Sequence, residues 1–403
     1  MLKLELKRIF SKKLNVLAVG LMVILAAVFS GFAATSNRYV DAHGAVSTGM
    51  LATRKLAENK QGYAGTLREA ELAKIVAQYK AVMAQSQEEQ DANYGTLYQP
   101  IDDILNFMIS VLTPDAGYDE TVLDSVTEDS VQDFYTWYQE NMKWMADQYG
   151  KTPAQKDYLE KKYSEITLPI QYESYGAWDT MIMYAQTYSI VLAILVGFIC
   201  AGIFADDFQT KADAVFFASK YGRSKAIKTK ILAGVVATTM IYWTGIVLLS
   251  AISFGIMGTS GMHTPYQMSE AYSIYIMTYG QYYALTVACG YIASLLAASL
   301  AMLVAAKMHT ISVAVCIPFF LYCLLPFIGR VLSGYTEVFN LIPTILTNVE
   351  ASVRVPLTCR AVWPISLPAS SPSMKTCPLT ATLPFVTTTG SDVVRSVKSP
   401  FAR

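Results

Sequence analysis

The chain alternates between long runs with no charged side chain and segments dense in charge. Five runs hold no Asp, Glu, Lys or Arg: Leu14–Ala34, Met181–Ala205, Ile231–Met257, Tyr283–Ala306 and Thr310–Gly329. A helix needs roughly 20 residues to cross a bilayer, and each run is about that long or longer. In hydrocarbon every backbone polar group must find its partner within its own segment, so these runs are expected to be helices. The expected fold is therefore all-α: a polytopic helical membrane protein with spans at 14–34, 181–205, 231–257, 283–306 and 310–329. Buried core helices of a soluble domain are the competing reading, and five runs of spanning length argue against it. The first run has the basic flank of a signal peptide, and Ser30, Gly31, Ala33 and Ala34 mimic a cleavage site. Its apolar part exceeds the usual 7–15 residues, which favours an uncleaved first span.

Between the spans a second periodicity stands out. In Phe204 to Lys230, apolar side chains recur at Phe204, Phe208, Ala212, Val215 and Phe216. At 3.6 residues per turn these share one helix face, with Asp206, Asp207, Gln209 and Asp213 away from it. Gly222 in Tyr221-Gly222-Arg223-Ser224 can supply the positive φ that ends a helix, and Ser224 can cap the next. The pattern predicts helix, sharp turn and helix, the second running through Lys230 into the third span. An apolar stripe outside the membrane calls for a partner groove, a known mode of recognition. Arg223 beside the turn suits a carboxylate or carbonyl of that partner. The alternative is an ordinary loop whose lysines only hold topology, which leaves the stripe unexplained.

Charge gives these segments sides. Residues 1–13 carry Lys3, Lys7, Arg8, Lys12 and Lys13 against Glu5, and 206–230 carries six basic residues against three Asp. Residues 258–279 have no Lys or Arg. Short basic loops stay in the cytoplasm. The expected arrangement is an N-terminus inside, 35–180 outside, 206–230 inside, 258–282 outside and 307–309 inside. Residues 1–13 also read as an amphipathic segment able to lie on the inner leaflet, or simply as an orienting flank.

The outside segment, 35–180, is net acidic: residues 35–179 hold 23 acidic and 12 basic residues. It is expected to be a helical domain. Leu67–Gln90 has few breakers, Val131–Tyr149 spaces Phe134, Trp137, Tyr138, Trp144 and Met145 as a helical core, and Thr152-Pro153 opens a helix to about Ile166. A ligand-gripping surface is the alternative role for those aromatics.

Over the 403 residues, 53% are hydrophobic and 15% charged, against about 25% charged in soluble domains. None of the six cysteines lies in the outside segment, so no disulfide framework is expected. There is no phosphate-cradling Gly-Lys-Ser/Thr loop, no Gly-x-Ser-x-Gly, and no metal-ligand spacing among His43, His263 and His309. The chain is expected to be no enzyme, to hold no cofactor of its own and to bind no nucleic acid. Ionisable groups are missing from mid-span, which disfavours an ion-coupled carrier. Pro318 and Pro326 suggest a kink in the fifth span. After an outside segment, 330–350, the composition shifts. Residues 351–403 hold seven of the fifteen prolines and one acidic residue, Asp392, and read as an atypical disordered tail in place of a sixth span.

The ensemble resembles an ABC-2 type permease, the membrane subunit of an ABC transporter, over residues 1–345. The motifs carrying the resemblance are Phe204 with Asp206 and Asp207 at the end of the second span, Tyr221-Gly222-Arg223 at the turn, and Lys230 opening the third span. Thr210-Lys211 departs from the Gly-Thr often found there. A large outside domain after the first span is similar to the Gram-positive subgroup handling peptides or antibiotics. The resemblance implies six spans and a cell-membrane location. It also implies a second permease protomer and a separate cytoplasmic ATPase that uses ATP and Mg. Phe208, Phe216 and Tyr221 would fill the ATPase groove while Asp206, Asp207 and Arg223 set register, with Ser224 and Lys230 completing the elbow. Export of a peptide, antibiotic or lipid-like substrate is the expected function. The alternative is a membrane-bound sensor or interaction protein with a helical ligand-binding domain outside; an intramembrane enzyme is disfavoured by the apolar spans.

Overall fold

A computed structural model describes residues 1–114, 119–127, 129–150, 152–211 and 222–331. The expectations for 332–403, most of 330–350 and all of 351–403, lie outside these residues, as do Ala212, Asp213, Val215, Phe216 and Tyr221.

The uncharged runs are helices. α1 is Leu2–Ser11 and α2 is Lys13–Thr35, separated by an extended Lys12. Then come α3 Ala52–Lys60, α4 Glu69–Met83, α5 Gln87–Asn93, α6 Asp102–Leu112, α7 Val122–Ser125, α8 Phe134–Tyr149 and α9 Pro153–Ser164. α10 is Gly176–Gln209, α11 Ile227–Met257, α12 Tyr279–Met308, α13 Ile311–Phe319 and α14 Leu325–Val331. Among the described residues, strands are confined to two short antiparallel pairs, Tyr39–Val40 with Val46–Ser47 and Gly65–Thr66 with Gln171–Tyr172. Among the described residues five helical stretches are long and apolar enough to cross a membrane: Lys13–Thr35, Gly176–Gln209, Ser224–Met257, Tyr279–Met308 and Ile311–Ile328. The chain is thus a helical multi-pass membrane protein, as the charge pattern implied.

The spans run past their uncharged cores. α10 has 34 residues, about 51 Å at 1.5 Å per residue, well beyond a hydrocarbon layer of about 30 Å. Its two ends, bearing Asp179 and Asp206-Asp207, therefore project past the apolar layer. In the fifth span Pro318, which has no amide hydrogen to donate, is followed by a π-turn, Phe320–Leu324.

The residues divide into two compact units. Among the described residues, one contains Met1–Asn37, Gly176–Thr259 and 280–331. Its core joins α2, α10, α11 and α12 through Met22, Ala26, Tyr188, Leu192, Ala237, Tyr242 and Ala298. Small residues let the helices approach, and hydroxyls bond across them. The Tyr188 hydroxyl donates to the Met22 carbonyl (2.9 Å), and that of Tyr242 donates to the Val287 carbonyl (2.7 Å) and lies 3.0 Å from Ser189 Oγ.

The second unit contains Arg38–Tyr175 and Ser260–Tyr279. Phe107 meets Phe134 and Tyr138 edge-on at 5.8 Å, so Phe134 and Tyr138 are core residues; Trp137, Trp144 and Met145 are half-buried. The segment 260–279 is built in: Tyr272 donates to the Val111 carbonyl (2.5 Å), Tyr138 to that of Ala271, and the Gly261 amide to Glu173 (3.1 Å). The long expected helix over Leu67–Gln90 is two helices. Ser86 and Glu89 form a reciprocal capping box that starts α5, which ends α4 before it. Thr152 caps α9 as expected, accepting from the Gln155 amide.

Candidate functional site

The sequence elements singled out around Phe204–Lys230 converge with the N-terminal helix at one end of the first unit. α1 is amphipathic: Ile9 is buried and Leu2, Leu6 and Phe10 pack on the helical core, leaving Lys3 and Lys7 exposed. Buried Asn15 donates to the Ile9 carbonyl (2.8 Å) across the Lys12 bend, fixing the angle between α1 and α2. That angle brings Arg8 and Lys12 against the end of α10.

Here three cations meet three carboxylates. Arg8 Nη1 donates to Asp207 Oδ1 (3.1 Å), its Nη2 to the Ile203 carbonyl (2.9 Å), and its Nε lies 3.7 Å from Glu5. Lys12 pairs with Asp206 and reaches the Gly202 carbonyl (3.5 Å). Lys230, whose side chain is 1% exposed, pairs with the other oxygen of Asp207 and donates to the Ile203 carbonyl (3.4 Å). Its ammonium also lies 5.7 Å from the centre of the Phe204 ring, a cation–π contact. A Cβ on Gly202 would come within 3.2 Å of Lys12 Nζ, so glycine there leaves the ammonium its room. Burial, and then the adjacent Arg8 charge, lower the pKa of Lys12.

Asp207 is thus gripped from two elements, α1 and α11, and Asp206 from the bend before α2. The Lys230–Asp207 pair joins the end of α10 to the first turns of α11, and so closes the base of the segment between them. The resemblance implies that Asp206 and Asp207 set register on a partner; in the structure both form ion pairs within the chain. Phe204 is half-buried on the helical core, and Phe208 stacks on His309 at 3.8 Å between ring centres.

The described end of the stripe helix also differs from expectation. α10 stops at Gln209, where Lys211 takes a left-handed φ of 55° and its amide bonds to the Phe208 carbonyl (3.1 Å). The helix does not run unbroken to Phe216. Gly222 and Arg223 begin a π-turn, Gly222–Ala226, continuous with α11. Ser224 lies inside that turn and is exposed rather than standing before the helix as its cap.

Arg8, Lys12 and Glu5 were missing from the candidate set read off the sequence. The signal for them was present: two cations four residues apart on an amphipathic flank, and an acidic pair at the end of an apolar span. The separation of 199 positions between Arg8 and Asp207 hides the pairing. Among the described residues no group of His, Cys, Asp or Glu is arranged to hold a metal ion. Comparison with protein-family models, curated proteins and solved structures gave no match.

Proposed function

We propose that the chain is the permease subunit of an ATP-driven transporter of the ABC-2 type, exporting a peptide, antibiotic or lipid-like substrate across the cell membrane. A separate cytoplasmic ATPase supplies ATP hydrolysis with Mg, and a second permease protomer completes the pathway. The N-terminus is cytoplasmic and 35–180 extracellular.

One observation carries this reading: the segment between α10 and α11 is clasped at its base by Asp207 and Lys230, and the clasp is held by α1. A loop that only set topology would have no use for a buried ion pair, whose desolvation is costly. A segment that receives force would. Pulling on its tip would move α10 and α11 together and carry α1 with them. The acidic pair therefore serves the base of the elbow, and the partner-facing role passes to Phe216, Tyr221 and Arg223.

The test is co-purification of an ATPase with the tagged chain from its native membranes in mild detergent. Arg223→Asp and Phe216→Asp should each reduce recovery of the ATPase at least about tenfold, the scale of a lost interface hot spot. Recovery equal to wild type in both variants would refute the assignment.

A further inference from the structure

We infer that the first unit carries a site for an anionic phospholipid, with one acyl chain in a groove between α2, α10 and α13 and the head group at the start of α2. The groove is about 410 Å³ and its lining is wholly apolar, with Leu14, Leu17 and Leu21 on one wall, Val191 and Phe198 on another, and Val315 closing the side. From Leu14 to Leu25 it follows α2 for eleven residues, about 16 Å at 1.5 Å each. The antiparallel run of α10 gives it direction. Leu14 and Phe198 belong to the end where Arg8, Lys12 and Asp206 cluster, and Val191 lies farther along α10 from that end.

The lining tells a flexible chain from a helix. Helices that dock in membranes present Gly, Ala, Ser or Thr so that backbones can approach. Here the walls are Leu, Ile, Val and Phe with a single alanine, Ala18. A groove of this volume between bulky side chains suits an acyl chain better than a helix, whose diameter is about 10 Å.

Charge at the mouth selects the head group. Lys13, the residue before Leu14, is exposed, as are Lys3 and Lys7 on α1, while Arg8 and Lys12 are engaged with Asp207 and Asp206. The first turn of α2 has no side-chain cap. Its free amides and positive dipole end lie beside Lys13, and a phosphate satisfies both.

Native mass spectrometry of the full-length chain, released from vesicles of equal phosphatidylglycerol and phosphatidylcholine, reads lipid retention and oligomeric state together. Wild type should retain phosphatidylglycerol in preference to phosphatidylcholine. Lys13→Gln should lower that preference about fivefold, the worth of one lysine near an anionic surface. Leu21→Trp, at a position 48% exposed and so tolerant of bulk, should fill the groove and remove both lipids while leaving the unfolding temperature in neutral detergent unchanged. Equal retention of the two lipids by wild type would overturn the inference. So would an unchanged preference in Lys13→Gln, full retention in Leu21→Trp, or a lipid-free dimer that Leu21→Trp dissociates, which would give the groove to a second copy.

Discussion

At the scale of single residues, Lys230 is a demanding side chain. An ammonium 1% exposed needs its counter-charge, and Asp207, 15% exposed, supplies it. Removing one partner of such a pair strands the other, at a cost of roughly 3–5 kcal/mol; removing both is far milder. Asp207→Asn should therefore lower stability by about 3 kcal/mol, and Asp207→Asn with Lys230→Met should recover most of that, as thermal unfolding in detergent will read. If the double variant is no more stable than the single one, the pair is not the source of the loss. A second buried lysine lies in the other unit. Lys60 sits 2.5 Å from Asp102 and 2.8 Å from Asp103, with Tyr172 donating to Asp103 (2.9 Å). Burial pushes Asp102 up to about 6; Lys60 opposes the rise and Asp103 adds to it. A carboxyl whose folded pKa exceeds its unfolded one adds stability that is complete below about pH 4 and lost as pH rises through about 6. The Asp102 side chain keeps 27% exposure, so the loss should be only about 1–2 kcal/mol. Between pH 4.5 and 7.5, the stability difference should shift by that amount in favour of Asp102→Asn. A constant difference would show that Asp102 titrates as in the unfolded chain.

At the scale of elements, the helices of the first unit meet closely enough that one methyl group matters. A Cβ on Gly290 of α12 would fall 2.5 Å from both Ser189 Oγ on α10 and Tyr242 Oη on α11. Gly290→Val should force these helices apart and cost about 1–3 kcal/mol, visible as a lower unfolding temperature. An unchanged temperature would mean the three helices are not packed at this point. This is also the scale at which sequence was most and least legible. The five spans were legible because exclusion of charge is a local property of each run. Their ends were not: α10 runs from Gly176 to Gln209, and near those ends Trp178 and Asp206-Asp207 find partners far away in sequence, such as the Thr259 carbonyl and Lys12. The break at Ser86 was written in its capping box with Glu89, a local signal lost inside an otherwise helical stretch. In the candidate site, the acidic pair and Lys230 were visible as types in a pattern. Their mutual pairing, and the part played by Arg8, are tertiary and left no periodic trace.

At the scale of the whole molecule, two segments separated by spans two and three, 38–175 and 260–279, fold as one unit. They must therefore emerge on one side of any membrane that those helices cross. Arg8, Lys12, Asp206, Asp207, Lys230 and His309 gather in the other unit, in the segments that charge assigns to the opposite side. Even numbers of crossings separate the segments within each set. The proposed mechanism uses this arrangement: ATP-driven closure of a cytoplasmic partner acts on the elbow, and the clasp of Asp207 and Lys230 passes the movement to α10 and α11. The most direct test is the rate of Mg-dependent ATP hydrolysis by the complex purified through the tagged chain. Wild type should hydrolyse ATP, and the stable double variant Asp207→Asn, Lys230→Met should keep the ATPase bound but lose its stimulation by the permease. A wild-type preparation with no associated ATP hydrolysis, or a double variant that turns over ATP as wild type does, would contradict the account.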